Sequence, residues 1–204
     1  DNDFWRDKRR RANDFVVSLV DKGKQKGIQV FPYFFVWNDF VTDQLDSRFG
    51  VKWHRHGNEP FYEYNNPRCA SFISEVTKRN LPIILEEEFH NTRVFVEERA
   101  PDAKVIIPHL GGLNGGYANL SKAGIWKRRR VYGDTALAGD DVIREYIQEN
   151  GIYRILFGSD FPFGDPREEL EDVLKIDLVE KDFNELVIER ITHENILNLL
   201  SRAR

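Results

Sequence analysis

A chain of 204 residues that is 41% hydrophobic and carries a formal charge of −4 at pH 7 is long enough to bury a sizeable core, and it lacks the basic excess of a general nucleic-acid binder. No apolar run approaches the roughly 18 residues of a membrane span. The single cysteine, Cys69, leaves no partner for an internal disulfide, so a cytoplasmic protein without membrane or nucleic-acid partners is expected.

The chain opens on a charged stretch with helical periodicity, Asp3 to Lys22. Apolar runs then begin near Ile28, Gly50, Leu81, Lys104, Arg130 and Tyr153, so successive runs start 22 to 31 residues apart. Between them lie stretches with apolar residues on one helical side, such as Phe72, Ile73 and Val76, or Val142, Ile143, Tyr146 and Ile147. The runs Ile83-Ile84-Leu85 and Val105-Ile106-Ile107 are continuously apolar, as strands of a parallel sheet covered on both faces are. No Gly-x-Gly-x-x-Gly loop follows any of them. The near-constant repeat therefore predicts an α/β fold of the (β/α)8 TIM-barrel type, with residues 1–204 forming one domain that covers about the last six βα units. Helical segments from Pro166 to Leu174 and on to Leu200 finish the C-terminal side, and two further strands are expected before Asp1. The basic run Arg6 to Arg11 reads as a solvated helix face, and Lys127 to Arg130 leads into a strand from its N-terminal end.

Catalytic groups of such barrels sit where strands end, and here the strand ends are polar. Side-chain alternation puts Lys52, His54 and His56 on one side of the run from Gly50. The run Leu81 to Leu85 passes directly into Glu86, Glu87 and Glu88. Glu86, the first polar residue, faces the barrel mouth, where a desolvated carboxylate needs a partner or a metal; Glu87 and Glu88 read as a solvated acidic turn. The run from Lys104 ends in His109 with two glycines after it, the run from Arg130 ends in Asp134, and Ile155-Leu156-Phe157-Gly158 ends in Ser159-Asp160.

Ile107-Pro108-His109-Leu110-Gly111-Gly112, Val131-Tyr132-Gly133-Asp134-Thr135 and Ile155 to Phe163, in that order, resemble the second amidohydrolase-related family of metal-dependent TIM-barrel hydrolases, which also contains aminocarboxymuconate semialdehyde decarboxylase and pyrone dicarboxylate lactonase. The similarity extends to Gly50 to His54 and Leu81 to Leu85. The resemblance implies that His109 is the ligand-type histidine of the sixth barrel strand and Asp160 the acid of the eighth. The family's first-strand His-x-His pair has no counterpart among these residues, and Glu86 stands where the fifth strand usually ends in histidine. The resemblance further implies a divalent metal such as zinc, held by Glu86, His109 and Asp160. Asp160 would move the proton, and Lys52, His54 and Asn114 would orient a small anionic substrate during hydrolysis of a C–N or C–O bond. A metal-independent lactonase or a decarboxylase on the same barrel stays open. So do a TatD-like nuclease, a catalytically silent scaffold barrel and self-association into a homo-oligomer.

Overall fold

The computed structural model describes residues 2–45, 49–55, 57, 59–176 and 181–201. In chain order it contains α1 (Asn2–Gln25), β1 (Tyr33–Phe35), β2 (Gly50–His54), α2 (Pro67–Lys78), β3 (Pro82–Glu86), α3 (Phe89–Val94), β4 (Lys104–Ile107), α4 (Tyr117–Lys122), β5 (Val131–Asp134), α5 (Asp140–Asn150), β6 (Ile155–Leu156), α6 (Pro166–Leu174), α7 (Lys181–Glu189) and α8 (Asn195–Ser201). Among the described residues the strands form one sheet in sequential order, each parallel to the next. All strand C-termini therefore point to the same end.

Local chemistry sets where several elements begin. Asn66 accepts the Arg68 N–H at 3.0 Å with Pro67 in the first turn, and Asp165 accepts the Arg167 N–H at 2.7 Å with Pro166 in the first turn, so α2 and α6 each start on a side-chain cap. The first strand begins later than the apolar run at Ile28 implies. Gly27 turns with φ 70° and the Ile28 N–H closes onto the Gly23 carbonyl at 2.8 Å, so Ile28 is taken up in the turn that closes α1.

The helices cover the sheet through aromatic contacts. Trp53 projects from β2 into the core, fully buried, with Tyr62 at 4.8 Å, Phe95 at 5.1 Å and Phe72 of α2 at 6.1 Å between ring centroids. On the other side of the sheet order, Trp126 lies 5.9 Å from Tyr117 of α4 and 5.3 Å from Tyr146 of α5. The edge of β1 is closed by α1 itself. The Asn13 amide accepts from the Phe35 N–H at 2.6 Å and donates to the Phe35 carbonyl at 3.1 Å, replacing a strand's pair of ladder bonds. At the far edge the buried Asn195 donates to the carbonyls of Ile152 at 2.6 Å and Ile155 at 2.8 Å, tying α8 to β6. No described helix is long and apolar enough to cross a membrane.

Candidate active site

Parallel register decides which polar side chains meet. His54 is paired with Glu86 across β2 and β3, and the His54 Nε2 lies 3.1 Å from Glu86 Oε1. Lys52, two residues back on the same side of β2, reaches Glu86 Oε2 at 3.4 Å. From the loop after β4, His109 places Nε2 3.5 Å from the same oxygen. One buried carboxylate thus gathers three basic side chains from two flanking strands, as the desolvation of its charge requires.

His109 is fixed from the next strand over. Half-buried Asp134, at the end of β5, accepts the His109 N–H at 2.9 Å and the Ala136 N–H at 3.2 Å, and His109 Nδ1 lies 3.0 Å from the Ala136 carbonyl. A carbonyl only accepts, so Nδ1 carries the hydrogen. The opposite nitrogen, Nε2, is buried and, at 3.5 Å from Glu86 Oε2, makes no hydrogen bond with a described residue. His109 and Leu110 sit at φ 57° and 44°, Leu137 after β5 at 54° and Asp160 after β6 at 52°. Left-handed backbone at non-glycine residues after three successive strands is strain held in place around one site. Gly111, at φ 86°, is the loop glycine that is needed: a Cβ there would lie 2.3 Å from Leu120 Cδ1.

A cavity of about 470 Å³ opens at this end of the sheet. His54, Glu59, Glu86 and Asp160 form its polar side, and Trp5, Leu113, Leu137 and Phe163 its apolar side. A larger groove of about 570 Å³ runs between α2 and residues 98–102 on the outside, lined by Cys69, Thr77 and Arg99 among others. The groove has no counterpart to the Glu86 cluster, and the smaller cavity is the one at the strand ends where such barrels do chemistry.

The structure brings His54, Glu86 and His109 into contact and puts Asp160 on the same cavity as His54 and Glu86. Lys52 pairs with Glu86 and is not among the lining side chains. Asn114 corrects the expectation of a substrate contact. It is fully buried, and its amide donates to the Leu85 carbonyl at 3.0 Å and Thr92 Oγ1 at 2.9 Å, so it braces the end of β3. Glu87 is also buried instead of solvated, accepting the Tyr64 hydroxyl at 2.7 Å, whereas Glu88 is exposed and paired with Arg55. His56 lies outside the described residues.

Two participants carried no local sequence signal. Arg9 is buried to 1% exposure instead of lying on a solvated helix face, and its Nη2 is 3.2 Å from Glu59 Oε2. Glu59 in turn is 3.1 Å from His54 Nδ1.

The electrostatics follow from this layout. Burial pulls the His54 pKa down, but the carboxylates of Glu59 and Glu86 outweigh it and the net shift is upward. Burial opposes the His109 charge too, and Glu86, Asp134 and the Ala136 carbonyl again raise its pKa. Burial pushes Glu86 up, yet His109, His54 and Lys52 hold it well below the usual carboxylate range. Asp134 is raised by its burial.

A pH dependence of stability results. The two histidines bind protons more tightly folded than unfolded, so their stabilisation is complete below the unfolded value of 6.5 and is lost as pH rises through their folded pKa values. Glu86 contributes above its unfolded value of 4.5 and loses that contribution as pH falls. Asp134 shifts the other way, and its stabilisation fades above its unfolded 3.8. The thermal midpoint of metal-free protein should therefore fall as pH rises above 6.5, and the slope should flatten in Glu86→Gln. Melting curves across that range check it, and a midpoint that rises contradicts it.

The amidohydrolase family profile (Amidohydro_2) matches residues 38–202, and the chain belongs to that family. No curated protein sequence matches the chain. Among solved structures, a dihydroxybenzoic acid decarboxylase from Polaromonas, holding manganese and the inhibitor 2-nitroresorcinol, superposes with a TM-score of 0.68 at 16% identity over 100% of this chain and 78% of that one. A 5-carboxyvanillate decarboxylase from Novosphingobium aromaticivorans, complexed with manganese and 4-hydroxy-3-methoxy-5-nitrobenzoic acid, gives 0.69 at 12% identity over 98% and 72%. A probable 2-pyrone-4,6-dicarboxylic acid hydrolase from Acinetobacter baumannii with bound citric acid gives 0.67 at 14% over 90% and 77%. At these identities the likeness is one of fold, and with the six parallel strands and their helices it makes the architecture that of a TIM barrel.

Proposed function

We infer that this chain is a metal-dependent enzyme that hydrolyses a C–N or C–O bond of a small carboxylic substrate in the cavity at the strand ends. The observation that carries this reading is His109. Its Nδ1–H is committed to a backbone carbonyl while the buried Nε2 has no hydrogen bond among the described residues, the arrangement by which an imidazole is oriented to give its lone pair to a metal. Glu86 and Asp160 add oxygen donors, and one imidazole with two carboxylates suits zinc or a harder ion such as manganese. Among the described residues no three His, Cys, Asp or Glu side chains stand ready around one point. Glu86 is drawn onto Lys52 and His54, so loading requires it to exchange those partners.

When bound, the ion lowers the pKa of a water toward neutrality and polarises the substrate carbonyl. The protein's own groups do the rest. Asp160 accepts the water proton and returns it to the leaving group. His54 and Lys52 supply positive charge for the substrate carboxylate, and Trp5, Leu113, Leu137 and Phe163 keep water from the far side of the cavity.

Decarboxylation is a second reading, supported by the apolar wall, which accommodates a planar acid, and by the fold shared with two decarboxylases. Product analysis separates the two, since only decarboxylation releases carbon dioxide. Glu86→His tests the metal reading. It should tighten zinc binding in a calorimetric titration, because an imidazole replaces a carboxylate already held by Lys52 and His54. No change in zinc affinity would remove Glu86 from the ligand set.

A further inference from the structure

Helix α1 places Arg9 behind the cavity, against Glu59 on its lining, from a direction that no strand end supplies. Arg9 Nη1 donates to the Val36 carbonyl and to the Tyr62 hydroxyl at 2.5 Å each, and Nη2 donates to the His54 carbonyl at 3.1 Å and to Glu59 Oε2 at 3.2 Å. The guanidinium carbon lies 4.4 Å from the Phe35 ring centroid and 4.8 Å from that of Trp37. Such a planar fork, stacked and bonded on several sides, has little freedom to move.

The oxygen it holds is the one that holds His54. Glu59 Oε2 is 3.1 Å from His54 Nδ1, and Nε2 on the other side of that ring is 3.1 Å from Glu86 Oε1. A carboxylate only accepts, so Nδ1 carries a hydrogen in this contact. Burying an ion pair gives little net stability compared with an apolar replacement, so stability alone does not explain why Arg9 and Glu59 stand beside the cavity.

We propose that Glu59, fixed by Arg9, is a positioning residue that sets the His54 ring with Nε2 turned toward Glu86 and the cavity, which makes α1 part of the active-site machinery. This rests on reading the cavity as the active site, but its test needs neither substrate nor metal. The chain has five histidines, and in EDTA-treated full-length protein labelled with nitrogen-15 at the histidine rings, the His54 signals are those missing from His54→Gln. The wild type should show a far-downfield, slowly exchanging Nδ1–H proton of His54. Glu59→Gln should move it upfield, Glu59→Leu should lose it, and Arg9→Lys, which keeps one cationic donor for Glu59, should retain it where Arg9→Met does not. The His109 signals should stay in place throughout.

His54 signals that are unchanged in both Glu59→Gln and Glu59→Leu would overturn the proposal. So would equal disturbance of His54 and His109, which would mark general loosening. If Arg9→Met fails to fold, Glu59→Gln and Arg9→Lys decide the matter. Zinc titration of the same samples reports separately on the metal reading, so the two can fail independently.

Discussion

Asp160→Asn is expected to lower kcat/KM on a carboxylic amide, ester or lactone substrate by about 10²–10⁴-fold, the usual loss when a positioned acid–base group is removed. The fold should hardly notice. Asp160 is half-buried, its carbonyl closes the turn onto the Phe163 N–H at 2.8 Å, and its backbone sits at φ 52°. Asparagine adopts that left-handed conformation as readily as aspartate does. The exchange keeps shape and hydrogen-bonding capacity while removing the charge, so activity and thermal midpoint should separate. Steady-state rates and a melting curve on the same preparation check it. Asp160→Ala would confuse the two effects, because alanine is strained at that φ. A variant with wild-type kcat/KM would take Asp160 out of the chemistry.

Arg9→Met should produce a large stability loss, about 3–5 kcal/mol, which for a chain of this size lowers the midpoint by roughly 6–20 °C. Its side chain is 2% exposed and that of its partner Glu59 14%. Removing the guanidinium takes a charged partner from the largely buried Glu59 carboxylate, and it deprives Val36, His54 and Tyr62 of a donor. An exposed helical arginine would instead change stability by a few tenths of a kcal/mol. Urea denaturation decides between the two, and a loss below about 1 kcal/mol would return Arg9 to the surface class.

The contrast between Arg9 and Asp160 shows what was legible in the sequence. Asp160, His109, Glu86 and His54 could be read because each follows an apolar run, and parallel strands deliver their C-terminal ends to one place. The βα spacing likewise revealed the sheet, although β1 starts at Tyr33 because the turn that closes α1 takes up Ile28. Arg9 stood in a basic run that looked like a solvated face. Its partners Val36, His54, Glu59 and Tyr62 lie 27 to 53 residues away, and no periodicity encodes contacts of that kind. Asn114 misled for a related reason. It follows the His109 loop closely, yet the left-handed turns at His109, Leu110 and Gly111 redirect the chain and send its amide to the end of β3. Glu87 differs from Glu88 through the Asn91 amide and the distant Tyr64 hydroxyl that it accepts from, and local sequence cannot reveal the second of these.

Elemental analysis of the purified protein decides whether His109, Glu86 and Asp160 make a metal-dependent active site at the strand ends. The wild type should hold about one divalent ion per chain, and His109→Ala that still melts cooperatively should hold little or none. A wild type that is free of metal yet fully active would contradict it.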